Sequence, residues 1–222
     1  MQKSLSIILA NTKRSESYFR SIKAYRFQLD YIFFYSTKIN SELLNEVKKY
    51  KLKKKIIVFK TNSINSKILK KSILNLKSDF ILFSGYDAEI IKDKLILKKR
   101  ILHCHPGLLP KYKGSTIPYY SLIQDNCVYV SLMIISKKID SGKVIFVKKF
   151  KPPKKKEGIE NEYDNFIRAN TLISYLLSTK KNKIKKLKSK QQNFYYIAHP
   201  IIRNIVIKPK FLLKLNFYKK FI

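Results

Sequence analysis

Tryptophan is absent from this 222-residue chain, glycine occurs only 5 times and cysteine twice, and 14 acidic residues stand against 48 lysines and arginines. Cys104 and Cys127 cannot build the disulfide framework of a small secreted domain and are read as reduced thiols. No apolar run reaches membrane-spanning length, and the opening MQKSLSIILANTKRSE carries no secretory pattern, because Leu5–Ala10 is short and charge follows it. A disulfide scaffold and a spanning chain are thereby excluded, and a cytoplasmic location is expected. With 45% hydrophobic residues, the chain can bury one core of ordinary domain size.

What is present in excess is positive charge, formally +34. Such a balance raises nucleic acid or an acidic membrane surface as a partner. The lysines, however, are spread along the chain together with abundant isoleucine, asparagine and tyrosine, the bias of A/T-rich codons. Base readout recruits arginine for its bidentate fork, and only six arginines occur. Nucleic acid is therefore disfavoured as a partner, while attraction for small anions is expected.

Apolar runs with strand character occupy Leu5–Ala10, Leu29–Tyr35, Lys55–Phe59 and Asp79–Ser84, separated by segments of helical spacing such as Ser41–Tyr50 and Asn65–Leu76. This alternation predicts an α/β fold, Rossmann-like, with a mainly parallel sheet and helices on both faces. Ligands in such folds bind beyond the carboxyl ends of the strands. Ser84-Gly85-Tyr86, His105 and Asp140 each follow a predicted strand, the last after Tyr129–Ile135, so one crevice is expected to collect them. Residues 1–150 read as the catalytic unit. Residues 151–222 read as a basic connector (KPPKKKEG), a helix over Glu162–Leu177, a lysine-rich stretch over Lys180–Lys190 and a tail that packs on or extends the same domain.

The chemistry-bearing stretch is ILHCHPGLLPKYKGS, followed downstream by KKIDSGKVI. A histidine and an aspartate brought to neighbouring strand ends form an acid/base pair in which the carboxylate orients and charges the imidazole. His103-Cys104-His105 invites a metal reading, but alternate strand residues point to opposite faces, so Cys104 turns away from both histidines and no metal site is expected. HPGLLPKYKG with the later IDSG resembles the folate-dependent formyltransferases, whose pattern is Asn-x-His-Pro-x-Leu-Leu-Pro-x-Tyr-(Arg/Lys)-Gly and then Asp-x-Gly. The resemblance covers roughly residues 1–150.

That resemblance implies 10-formyltetrahydrofolate as co-substrate and formyl transfer to an amine. It gives His105 and Asp140 the roles of the family's histidine and aspartate. His103 stands where the family has asparagine, and a neutral imidazole offers one N–H that can replace the amide donor. Folate would be held by two loops, through Gly85, Tyr86, Ala88 and Ile90 and through Ser136 and Lys137. Gly107–Ser115 would border the amine, with Lys111, Lys113, Gly114 and Ser115 beside it. Lys13 and Arg14 would meet an anionic handle.

The first loop, Asn11–Ser17, lacks the glycines with which purine-pathway members cradle a phosphate. Members acting on initiator tRNA carry a further C-terminal domain longer than the stretch that follows the connector here. A small anionic acceptor, an amino sugar or sugar nucleotide, is therefore favoured over glycinamide ribonucleotide and methionyl-tRNA. The family's hydrolases usually carry an extra N-terminal domain, whereas this chain opens at the first strand. Hydrolysis of 10-formyltetrahydrofolate and a non-catalytic basic binding protein are the alternatives. In the tail, Phe211, Leu212, Leu215, Tyr218 and Phe221 fall at helical spacing among lysines. That pattern suits packing on the domain, a homo-oligomer contact, or peripheral attachment to an acidic membrane.

Overall fold

The computed structural model describes residues 4–38, 40–50, 55–155, 158–178 and 192–208. The tail beyond Lys208 and the Lys180–Lys190 stretch lie outside the described residues. Each early apolar run is too short for a helix and forms a strand: β1 Leu5–Ala10, β2 Tyr31–Tyr35, β3 Lys55–Phe59, β4 Phe80–Ser84 and β5 Ile101–His105. Helices α1 (Lys13–Ala24), α2 (Glu42–Lys48) and α3 (Lys67–Leu74) connect the first four. After β5 come β6 (Tyr112–Gly114), α4 (Ile117–Asp125), β7 (Val128–Ile134), β8 (Lys143–Phe150), α5 (Asp164–Leu177), β9 (Asn193–Tyr195) and α6 (Pro200–Ile207).

Side-chain oxygens start the first two helices. Thr12 Oγ1 accepts from the Ser15 N–H at 3.2 Å and Ser41 Oγ from the Leu44 N–H at 3.2 Å. The helix over Lys13–Ala24 corrects the reading of Asn11–Ser17 as a loop, because the Thr12 cap places Lys13 and Arg14 in a first helical turn.

Seven strands pair in the order β3-β2-β1-β4-β5-β7-β8. The first five run parallel, β7 runs antiparallel to β5 and β8 antiparallel to β7. Period-two alternation divides the strand side chains between two cores. Ile7, Leu9, Ile32, Phe34, Leu82, Leu102 and Cys104 pack with α1, α2, α4, α5 and α6, while Ile8, Phe33, Tyr35, Ile81, Phe83 and Ile101 pack with α3. Cys104 is fully buried in the first core, as strand alternation requires, and so turns away from its flanking histidines.

The described residues 192–208 contact the rest of the fold. Short β9 pairs parallel with β6, aligning Gly114 with Tyr195, and Val206 of α6 enters the first core. No described helix is long and apolar enough to cross a membrane.

Candidate active site

β4 and β5 run parallel with Leu82 opposite Leu102, so Ser84-Gly85 and His105 emerge at the same end of the sheet. Asp140 arrives differently from the sequence expectation. β7 is antiparallel and its last residue, Ile134, sits opposite Leu102, so its carboxyl end lies at the far end of β5. The 135–142 connection folds back along β5 to deliver Asp140, whose φ of 49° places it in the left-handed region that a non-glycine residue seldom occupies.

His105 is 2% exposed and Asp140 9%, with His105 Nδ1 3.2 Å from Asp140 Oδ1. The Gly114 N–H donates to Asp140 Oδ2 at 2.8 Å, and His105 Nε2 donates to the Tyr112 carbonyl at 2.8 Å. Burial pushes the Asp140 carboxyl upward, but the hydrogen bond and charge of His105 and the Gly114 N–H outweigh it and bring it to about 2. Both ring nitrogens of His105 therefore face oxygens that only accept, an arrangement satisfied by an imidazolium with two N–H donors.

Ser131 ties down the turn after His105. Ser131 Oγ donates to the Gly107 carbonyl at 2.6 Å and accepts from the Leu109 N–H at 3.1 Å. A Cβ on Gly107 would lie 2.8 Å from His105 Nε2, so a side chain there would displace the ring.

His103 shares the strand face of His105 and lines a cavity of about 680 Å³ over this pair. Among the described residues, no hydrogen bond engages either of its ring nitrogens. Burial first, then the charges of Arg168, His105 and Arg14, hold its pKa well below the ordinary imidazole range, and Asp140 only partly opposes them. His103 is accordingly neutral.

Two loops wall the cavity on one side. In the first, Gly85, Tyr86, Ala88 and Ile90 face it, and Glu89 anchors the turn by accepting from Tyr35 Oη, the Tyr86 N–H at 3.2 Å and the Ile64 N–H at 2.5 Å. A Cβ on Gly85 would meet the Phe83 ring at 2.3 Å and Glu89 Oε2 at 2.7 Å, so a side chain there would have to shift one or both. In the second, Ser136, Lys137 and Ile139 face inward.

The rest of the lining includes Arg14, Gly114 and Ser115, together with residues that sequence reading missed: Asp164 and Arg168 of α5, Arg203 of α6, and Phe194, Tyr195 and Tyr196 around β9. Arg14 is bridged to Asp87 at 2.8 Å, Arg168 to Asp164 at 2.8 Å and Arg203 to Glu160 at 2.9 Å. Arg168 also donates to the Cys104 carbonyl at 2.5 Å, gripping the strand between the two histidines.

Three expected substrate contacts do not line the cavity. Lys13 turns outward to Glu16 at 2.9 Å, Lys111 is held by Asp125 at 2.7 Å, and Lys113 reaches Ser141 Oγ at 3.3 Å and Gln192 Oε1 at 3.2 Å. Lys111 and Lys113 lie within the motif and Lys13 in the first turn of α1, and in each case the side chain is turned to another polar partner.

The chain is similar to methionyl-tRNA formyltransferase of Finegoldia magna, 37% identical over 79 residues, covering 34% of this chain and 25% of that protein. It also resembles that of Mycoplasmopsis pulmonis, 31% identical over 105 residues, or 46% and 35% of the two chains. It thus spans about a quarter to a third of these curated relatives' length. Among solved structures, a sugar N-formyltransferase from a Shewanella species superposes with TM-score 0.56 at 15% identity, covering 87% of this chain and 76% of that one. Phosphoribosylglycinamide formyltransferase from Bacillus halodurans does so with TM-score 0.55 at 16% identity, covering 82% and 100%. These likenesses support the fold, and the sequence profile described as Formyl transferase matches residues 12–170. The chain belongs to the formyl transferase family.

Proposed function

We propose that this protein transfers a formyl group from 10-formyltetrahydrofolate to the amino group of a small anionic acceptor, an amino sugar or sugar nucleotide. The observation that carries the reading is the buried His105–Asp140 pair beside neutral His103, set at the floor of one cavity lined by two loops and by the ion-paired Arg14, Arg168 and Arg203. Folate would lie against Gly85, Tyr86, Ala88, Ile90, Ser136 and Lys137, where backbone groups and half-exposed Ile90 and Ile139 suit a flat, partly apolar ring system.

The acceptor would enter from the side of Arg14 and Arg203, whose charges suit an anionic handle. Exposed Phe194 and Tyr196 at that side offer faces on which a base can stack. His103 would donate one N–H to the oxyanion of the tetrahedral adduct, in the place of the family's asparagine, while charged His105 stabilises the same developing charge.

A second acceptor, methionyl-tRNA, is favoured by one observation: the sequence relatives above carry that name. Incubation with 10-formyltetrahydrofolate and a panel of amino sugars, sugar nucleotides, glycinamide ribonucleotide and methionyl-tRNA, read by product mass, tests the proposal. A formylated sugar derivative supports it, and formylation of methionyl-tRNA alone replaces the acceptor. Formate as the sole product replaces transfer by hydrolysis.

A further inference from the structure

His105 and His103 differ in one respect that matters for proton movement. Both nitrogens of His105 are committed, to Asp140 and to the Tyr112 carbonyl, whereas neither nitrogen of His103, at the cavity wall, is hydrogen-bonded among the described residues. We propose that His103 is the proton carrier of this site and that Arg168 is the positioning residue that keeps it available for that task. The inference rests on the formyl transfer reading and assigns a step within it.

The neutral acceptor amine attacks the formyl carbon, forming the new C–N bond as the carbonyl pair moves onto oxygen. The adduct's ammonium then passes one proton to the lone pair of His103. On collapse the oxygen pair restores C=O, the bond to folate N10 breaks, and N10 takes that proton back from His103. The sum is a formamide and tetrahydrofolate, with His103 returned to neutral. An amide at position 103 can donate to the oxyanion but has no lone pair basic enough for this relay.

Arg168 serves the step in two ways. Its Nη1 holds the Cys104 carbonyl at 2.5 Å, which fixes the backbone from which both histidines project. Its charge, 8% exposed and tied to Asp164, stands on α5 beside His103. The other ionisable groups facing His103 are His105 on its own strand, Arg14 on α1 and Asp140 on the hairpin. Arg168, His105 and Arg14 disfavour a positive charge on His103, with Arg168 the strongest of them, and Asp140 opposes them.

Histidine-selective NMR on the intact protein, which has 3 histidines, reports the charge on His103 directly. Transfer rates across pH supply the second readout. In the wild type and in Arg168→Lys, the His103 signal should stay neutral through the range where ordinary histidines titrate. In the double variant Arg168→Gln/Asp164→Asn, which removes the buried pair together and leaves no lone charge, it should titrate at higher pH. The acid limb of kcat/KM should move up with it. His103→Asn should lose on the order of a hundredfold in kcat/KM and the histidine limb as well, with folate affinity retained.

Wild-type rates in His103→Asn would overturn the relay and leave formyl transfer standing with His103 as donor only. A His103 signal indifferent to the double variant would overturn the role of Arg168. A wild type that binds folate yet formylates nothing would count against the transfer reading itself and, with it, the relay.

Discussion

Asp140 holds both ends of the turn that follows β5: its Oδ1 faces His105 Nδ1 at 3.2 Å, and its Oδ2 accepts from the Gly114 N–H at 2.8 Å. One carboxylate thus orients His105 and fixes the segment that ends at Gly114. Asp140→Asn should lower kcat for formyl transfer on the order of a hundredfold, with folate affinity changed little, because the lost charge matters most as the adduct forms.

The same carboxylate makes stability pH-dependent. Its folded pKa of about 2 lies below the ordinary 3.8, so its bonds stabilise the fold fully above the ordinary carboxylate range and progressively less as pH falls through about 2. Urea midpoints of wild type and Asp140→Asn, measured from neutral pH downward, should differ most at the top of the range and converge near its acid end.

Gly114 has φ +103°, and a Cβ there would lie 2.0 Å from the Tyr195 carbonyl oxygen. Gly114→Ala should therefore part β9 from β6, disturb the Asp140 anchor and cost roughly 2 kcal/mol or more in urea unfolding. Transfer should fall along with stability.

Much of this was legible in the sequence, for physical reasons. Runs such as Leu5–Ala10 and Asp79–Ser84 are too short and too apolar to be anything but buried strands, and the structure places β1 and β4 within them. The HPG turn needs its glycine against His105, so the motif itself signalled the site. Strand direction was not legible. Nothing in Tyr129–Ile135 reveals that β7 runs antiparallel, so the route by which Asp140 reaches His105 was misread. The C-terminal wall escaped notice because a three-residue strand has no detectable period. Arg168 left one trace: with Asp164 it forms an i,i+4 pair on the buried side of α5, where Ile167 and Leu172 also lie.

Side-chain direction separates the basic residues expected beside the acceptor. Arg14 lines the cavity, while Lys13 and Lys111 are held by Glu16 and Asp125. Arg14→Ala should raise the acceptor KM about tenfold, the worth of one charge-assisted hydrogen bond, with the folate KM little changed. Lys13→Ala and Lys111→Ala should leave both values near wild type. Steady-state kinetics with each substrate varied in turn checks the contrast.

Glu89 ties the first loop to β2 and to the chain before α3 through Tyr35 Oη and the Ile64 N–H. Glu89→Gln turns an acceptor-only group toward several donors, leaving one unpaired. Affinity for a stable folate such as 5-formyltetrahydrofolate, read by calorimetry, should weaken about tenfold for a loss near 1.4 kcal/mol, with the His105–Asp140 pair untouched.

The most direct test follows the release of tetrahydrofolate from 10-formyltetrahydrofolate by absorbance, with and without the amine panel, in wild type and in Asp140→Asn. The account predicts release that depends on an added amine and that nearly vanishes in the variant. Release that proceeds equally without any amine, or none above the protein-free rate with every amine, would contradict it.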